Sequence, residues 1–313
     1  MAHVSRRDER GQLVLVTAVA IAALLVLVAV LLNSVVYTEN VATRDTTADD
    51  ARAAQLYRVA AVEAVAGITE RANRDGASPA EFRGNVTKWG DLRARHAALS
   101  GASARVTVVS APNGTRIFQA NATRAFTNAS GASSWQLAAG IETVENWRMV
   151  VNETSLVTVS SPTTPTPEAD GAFHVTVTDG SAIWRAFVYH DGTDVVVQVE
   201  ENGALGPPCP IPTENGTATV QLASDATCSS LDFEGVVGAP FDISYGDGSN
   251  ATGTYSLVVD QYRDDVIDGD FATDGGSPSL AYHFSDVHID ITYTTANLEY
   301  VARNVNVDAE VDS

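Results

Sequence analysis

Six histidines, two cysteines, one run of aspartates and seven Asn-x-Ser/Thr triplets are the groups of this 313-residue chain with chemistry to offer. His3, His96, His174, His190, His283 and His288 show neither an HExxH pattern nor a paired-ligand spacing, so solvated strand histidines are expected. His283 and His288 are close enough to sit at opposite ends of one strand. No Gly-x-Ser-x-Gly elbow and no phosphate-cradling P-loop occurs. Asp264, Asp265, Asp268, Asp270 and Asp274 form the densest carboxylate cluster, and folded onto one loop their oxygens could hold Ca²⁺. Asp268-Gly269-Asp270 breaks the EF-hand order, which makes a solvated acidic run the expectation and calcium the weak alternative. These carboxylates offer no distinguishable acid and base pair, so neither an enzyme nor a cofactor is expected.

Cys209 and Cys228 lack the further ligands a zinc site needs. Paired, they close a loop stiffened by Pro207, Pro208, Pro210 and Pro212, a gain of about 3 kcal/mol in the chain-entropy model. An extracellular disulfide is the expectation and a pair of free thiols the alternative. The triplets at Asn85, Asn113, Asn121, Asn128, Asn152, Asn215 and Asn250 exceed the roughly two or three that 15 asparagines would make by chance, which points to a secreted, glycosylated surface.

The location follows from residues 13–32, LVLVTAVAIAALLVLVAVLL, in which Thr17 is the one polar side chain. At 1.5 Å per residue this run spans roughly 30 Å, the thickness of a bilayer's hydrocarbon core. No Ala-x-Ala cleavage pattern follows it, so an uncleaved anchor is expected. Arg6, Arg7 and Arg10 precede the run and few basic groups follow it, which places a short N-terminus in the cytoplasm and everything after residue 32 outside the cell. All seven triplets lie on that outer side. The partner implied is the lipid bilayer. A net charge of −20 disfavours nucleic acid.

The helical part is legible from spacing. From about residue 39 to 72, Leu56, Val59, Val62, Val65, Ala66 and Ile68 recur every three or four positions, which predicts a broad apolar helix face continuing the anchor. Asn33-Ser34 and Thr46-Thr47 are plausible bends. Ser78-Pro79-Ala80-Glu81 signals a second helix, with a serine cap, proline at the first position and a glutamate three residues on. Beyond residue 102 the period becomes two. Strands are expected at 105–109, 142–151 and 156–159, then in a meander at 173–178, 183–190 and 195–199 turned by Asp179-Gly180 and Asp191-Gly192. A later hairpin should join 241–245 to 254–259 through the turn-rich 246–253. Gly246-Asp247-Gly248-Ser249 resembles the Gly-Asp-Gly turn of PKD-type adhesion sandwiches over four residues.

Charge supplies the domain boundary. Residues 33–159 hold 13 basic and 12 acidic groups, whereas 160–313 hold only Arg185, Arg263 and Arg303 against 25 carboxylates. The step falls on a Pro/Thr stretch at 160–169. The expected organisation is a basic leader at 1–12, a transmembrane helix at 13–32, a helical stalk at 33–101, a first β-rich region at 102–159, a linker at 160–169 and an acidic β-rich domain at 170–313. The fold class is α+β: a membrane helix continued by an amphipathic helix, then a mainly antiparallel, sandwich-like ectodomain.

One lysine, Lys88, against eighteen arginines, within an acidic chain, resembles the composition of proteins from salt-loving archaea. Arg10-Gly11-Gln12, the apolar helix and the amphipathic extension resemble archaeal type IV pilin-like proteins and the uncharacterised single-pass pilin-like surface proteins of haloarchaea. In that family a membrane peptidase cuts after a glycine that follows a basic residue, and Gly11-Gln12 matches the position. The resemblance covers about sixty residues and departs from the family at Val16, where many such subunits carry a glutamate. It implies a structural or minor subunit of a pilus-like or secretion-like assembly, with like or related pilin-like subunits as partners. The alternative is a monomeric signal-anchored surface module for binding or adhesion.

Overall fold

The computed structural model describes residues 6–159, 167–222, 228, 231–266, 268–273 and 275–307, with side chains described except at 6–16, 20, 34–47, 264 and 268. Two α-helices, α1 (Arg6–Asp75) and α2 (Pro79–Leu99), open the chain. Fifteen strands follow among the described residues: β1 (Ser103–Ser110), β2 (Asn113–Gln119), β3 (Trp135–Ile141), β4 (Val144–Asn152), β5 (Phe173–Thr178), β6 (Ile183–His190), β7 (Val195–Glu201), β8 (Ala204–Ile211), β9 (Thr213–Glu214), β10 (Thr217–Gln221), β11 (Phe241–Gly246), β12 (Gly253–Val259), β13 (Ser279–Phe284), β14 (His288–Thr294) and β15 (Glu299–Asn306). The protein is therefore α+β with mainly antiparallel sheets. One sheet has three strands in the order β1-β14-β15, a second six in the order β13-β2-β12-β4-β10-β9, and a third six in the order β3-β11-β5-β6-β7-β8.

The helices begin and end where local chemistry demands. α1 is continuous from Arg6 to Asp75, with no break at Asn33-Ser34 or Thr46-Thr47. It stops at Gly76, whose φ of 69° lies in the left-handed region that ends helices. Arg116 donates from Nη2 to the Arg74 carbonyl at 3.3 Å, placing a cation at the negative end of the helix. The second helix starts with the expected reciprocal cap: Ser78 N–H donates to Glu81 Oε2 at 2.8 Å, and Glu81 N–H donates to Ser78 Oγ at 3.3 Å.

The chain divides into two compact units, one comprising the chain up to Val62, Gly90–Val106 and Asp290–Arg303, the other Glu63–Trp89, Thr107–Ile289 and the chain from Asn304. In the first, the buried Tyr57 ring lies 5.7 Å from that of Tyr293, and Thr295 Oγ1 donates to Asp50 at 2.8 Å. Burial, partly opposed by Arg93, pushes the Tyr57 phenol up to about 12.

In the second unit the two six-stranded sheets close on one apolar core. Ile117, Met149, Val151 and Leu257 come from one sheet, and Leu137, Val175, Trp184 and Ile243 from the other. Aromatic edges knit them together, with Tyr245 of β11 and Tyr255 of β12 perpendicular at 5.3 Å and Tyr245 reaching Met149 Sδ at 3.8 Å. Burial drives both phenols far above their ordinary range. β7 is buried from Val195 to Glu200 without alternation, because Val159, Ala172, Phe187, Tyr189 and Val196 form a smaller cluster beside the main core. Glu200, buried in this strand, is held by Arg185 at 3.3 Å.

The topology corrects several expectations. β11 and β12 do not form a hairpin, since β11 pairs with β3 and β5 while β12 pairs with β2 and β4. The segment between them is a crossing from one sheet to the other. Gly248 donates to the Ser133 carbonyl and its own carbonyl accepts from Phe126, so the 3₁₀ turn at Gly248–Asn250 is tied to distant segments and does not close a hairpin. The meander β5-β6-β7 forms as expected. Its turns are four-residue loops, however: Asp179 Oδ1 accepts from Ser181 and Ala182 N–H, and Asp191 Oδ1 from Thr193 and Asp194 N–H. Two-residue turns with positive φ at both positions occur at Asn202-Gly203 and Asn215-Gly216. The proline-rich 204–211 is β8, which sits at a sheet edge, the position in a sheet that tolerates residues without an N–H donor.

The charge step is not a boundary between folds. Residues 160–166 lie outside the described residues, and Pro167–Asp170 is a 3₁₀ turn. Strands from before the step (β2, β3 and β4) are hydrogen-bonded into both six-stranded sheets beside strands from after it. Residues from 117–156 and from 173–271 therefore share one core, because strand pairing is blind to the surface charge that changes at residue 160.

Candidate functional site

The chain's most unusual surface is the apolar side of α1. Val19, Ile21, Leu24, Leu25, Val26, Leu27, Val28, Val30, Leu31 and Leu32 are all exposed, and the consecutive five from Leu24 cover more than a full helical turn. Such a sleeve of valine and leucine is costly in water and marks a surface made for an apolar environment or a partner. Among the described residues no helix is long and apolar enough to cross a membrane. The run at 13–32 falls partly outside the described side chains, at 13–16 and 20.

Farther along α1 the structure revises the expected apolar face. The buried positions are Ala54, Tyr57, Ala61, Val62, Val65, Thr69 and Ala72, spaced so that they follow one side of the helix. Leu56 and Val59 lie on the far side, 63% and 50% exposed. The three- and four-residue spacing was compatible with either side, and tertiary packing selected the one that carries Tyr57, Val62 and Val65. Leu92 and Leu99 of α2 and Val301 of β15 are exposed as well.

The acidic cluster is spread over separate turns. Arg263–Asp265 and Asp268–Asp270 are single 3₁₀ turns; Asp265 is exposed, and Asp270 accepts from Asn128 Nδ2 at 2.5 Å. Asp274 and the side chains of Asp264 and Asp268 lie outside the described residues. Among the described residues no three His, Cys, Asp or Glu side chains gather as metal ligands would. The histidines are dispersed. His96 is exposed, His174 is buried against Phe187 with Nδ1 3.2 Å from the Ala172 carbonyl, and His190 lies 3.3 Å from Glu153. His283 and His288 stand on different strands, β13 and β14, and His288 pairs with Asp286 at 3.0 Å. Cys209, on the edge strand β8, is bonded to Cys228.

The triplet asparagines sort by their amide nitrogens, the atoms a glycan would occupy. Asn85 on α2, Asn121 and Asn215 are exposed. Asn113 is half-buried. Asn128 is buried and donates to Asp270, Asn152 donates to the Ala122 carbonyl and Thr252 Oγ1, and Asn250 donates to the Gly171 carbonyl at 2.8 Å.

Two grooves absent from the sequence reading lie along the outward side of β2. One, of about 390 Å³, is lined by Arg74, Arg116, Arg263, Phe118 and Ser279 among others. The other, of about 400 Å³, is lined by Arg116, Phe118, Arg148, Thr254 and Ser256 among others. Arg116 and Phe118 alternate with the inward Thr115, Ile117 and Gln119, but only the order β13-β2-β12-β4 brings Arg148 and Ser279 to the same surface.

Processing positions Gly11 and Gln12 fall within the helical backbone of α1, with side chains outside the described set. No curated protein and no solved structure matches the chain. Over residues 7–139, which take in α1, α2 and the first strands, the chain is similar to a family described as a family of unknown function, DUF7261.

Proposed function

We propose that the protein is a single-pass, membrane-anchored surface subunit of pilin-like type. Residues 13–32 cross the bilayer, the short N-terminus stays in the cytoplasm, and the two sheets and their core stand outside the cell. On this reading α1 both anchors the chain and packs on like or related subunits of a pilus-like or secretion-like assembly, and the protein works by association, without catalysis. The observation that carries the proposal is the exposed sleeve from Val19 to Leu32, continued on the same helix by Leu56 and Val59. An apolar helix surface of that extent is stable only against lipid or another protein. The arginines at 6, 7 and 10 and the Gly11-Gln12 junction fit a leader that a membrane peptidase removes. The triplets with accessible amides, Asn85, Asn121 and Asn215, all fall on the proposed outer side.

A second reading, a monomeric anchored binding or adhesion module, draws on a different observation: the two six-stranded sheets complete their core within one chain and carry grooves on their outer surface. Mass spectrometry of the N-terminal peptide of the protein from its native membrane separates the two. A mature chain beginning at Gln12 is expected for the pilin-like subunit. A chain beginning at Met1 or Ala2 would leave an ordinary anchor and favour the monomeric module.

A further inference from the structure

We propose that Arg116 and Arg148 form a binding site for a tetrahedral oxyanion, a phosphate or sulfate group, on the outer face of the β13-β2-β12-β4 sheet. The argument begins with placement. Register sets Phe118 of β2 opposite Ser256 of β12, and Ser256 opposite Arg148 of β4, while Arg116 stands two residues before Phe118. Side chains two apart on a strand share a face, so one surface carries Arg116, Phe118, Ser256 and Arg148. Arg116 and Phe118 border both grooves, and the groove toward Arg148 is the one that Arg116, Arg148, Thr254 and Ser256 line together.

Arg116 is held in one orientation. Its guanidinium carbon lies 4.5 Å over the Phe118 ring, and Nη2 donates to the Arg74 carbonyl. Burial lowers its pKa, which reports a charge stripped of water without a compensating carboxylate. In a chain with 39 acidic and 19 basic side chains this absence is unexpected on chance grounds. Among the described residues, the groove toward Arg148 has no carboxylate in its lining, and the groove toward Arg263 has Asp75 alone. A half-buried guanidinium left with a neutral carbonyl and an aromatic face is costly unless an anion completes it.

The donor set favours a tetrahedral group. Guanidinium forks from β2 and β4 and the hydroxyls of Thr254 and Ser256 line the groove toward Arg148 from several strands. A planar carboxylate would use one fork, whereas phosphate or sulfate presents acceptor oxygens toward several donors at once. The net charge of −20 does not oppose this at contact range, because in the salt of an extracellular medium the field of distant carboxylates decays within about 10 Å or less.

The test uses the full-length protein in detergent micelles, with radiolabelled inorganic phosphate in equilibrium dialysis at constant sodium chloride, and sulfate and acetate as competitors. A second arm uses dextran sulfate in place of phosphate. The expected result is saturable binding of about one phosphate per chain, weakened tenfold or more in R148Q and in R116Q, unchanged in R105Q, and displaced by sulfate but not by equal acetate. Arg148 is exposed, so R148Q keeps the fold and the comparison stands even if R116Q does not fold. Binding of dextran sulfate alone, with the same loss in R148Q, would identify the group as an ester on a polymer and would equally support the site. No saturable binding of either probe, binding by R148Q equal to wild type, or displacement by acetate as effective as by sulfate would overturn the proposal.

Discussion

Replacing Leu56 and Val59 together with aspartate separates the two roles a helix face can have. In the isolated chain these side chains are 63% and 50% exposed, so the double substitution removes little buried area. The expected cost is the lower helix propensity of aspartate, about 1 kcal/mol or less for the pair, and a melting temperature lower by a few degrees at most. If the same two side chains are buried between subunits, the area still open on each is worth about 1–2 kcal/mol. The pair then contributes about 2–4 kcal/mol to association, roughly 30-fold to several hundred-fold in affinity. Desolvating the two introduced carboxylates would add to that loss. The assay is chemical cross-linking in native membranes followed by sedimentation, with circular dichroism melting of the purified variant as the check on folding. Val65→Asp is the contrasting variant, because Val65 is fully buried and a charge there should abolish folding itself. Assembly of the Leu56→Asp, Val59→Asp protein at wild-type level, with melting unchanged, would refute the claim that the far side of α1 is a packing face.

Glycopeptide mass spectrometry of the native protein should find glycan on Asn85, Asn121 and Asn215 and none on Asn128, Asn152 or Asn250, whose amides are already donating in the fold. Replacing Cys209 and Cys228 with serine opens a link across 19 positions and should cost about 3 kcal/mol, read as a lower melting temperature under oxidising conditions that vanishes when wild type is reduced. Asp179 is held well below the usual carboxylate range, first by the Ala182 N–H and then by the Ser181 hydroxyl and N–H and the Gly238 N–H. Since its folded value is depressed, the stabilisation is complete above its ordinary value of 3.8 and is lost only as pH falls through the folded value. The Asp179 carboxyl carbon resonance in NMR should therefore remain that of the ionised form at pH 3, and a midpoint near 3.8 would show that the loop bonds are absent.

Much of the local structure was legible because it depends on neighbours in sequence. Ser78-Pro79-Ala80-Glu81 specifies a helix start by reciprocal bonds three residues apart, and those bonds form. The β-branched and aromatic runs at 173–178, 183–190 and 195–199, separated by Asp-Gly turns, specify consecutive antiparallel strands, which need only short loops. The Asn-Gly pairs at 202 and 215 carried an equally local signal for tight turns that the Asp-Gly pairs overshadowed.

Other features depend on partners far away in sequence, and no local pattern reports them. Helical spacing established that α1 has apolar sides, but which side is buried was decided by what packs there, and Ala54, Tyr57, Ala61 and Val65 are buried while Leu56 and Val59 are exposed. Phe241–Gly246 and Gly253–Val259 each read as strands, but their assignment to opposite sheets rests on the bonds between Gly248 and residues Ser133 and Phe126. The prolines of β8 forbid a central strand and allow an edge, a distinction that exists only once the sheet order is known. The same holds for the grooves around Arg116. Sequence determined the apolar helix, the acidic surplus and the strand periodicity, all properties of residue type and near spacing. Tertiary structure alone decided which arginines line one groove, because that depends on β12 lying between β2 and β4.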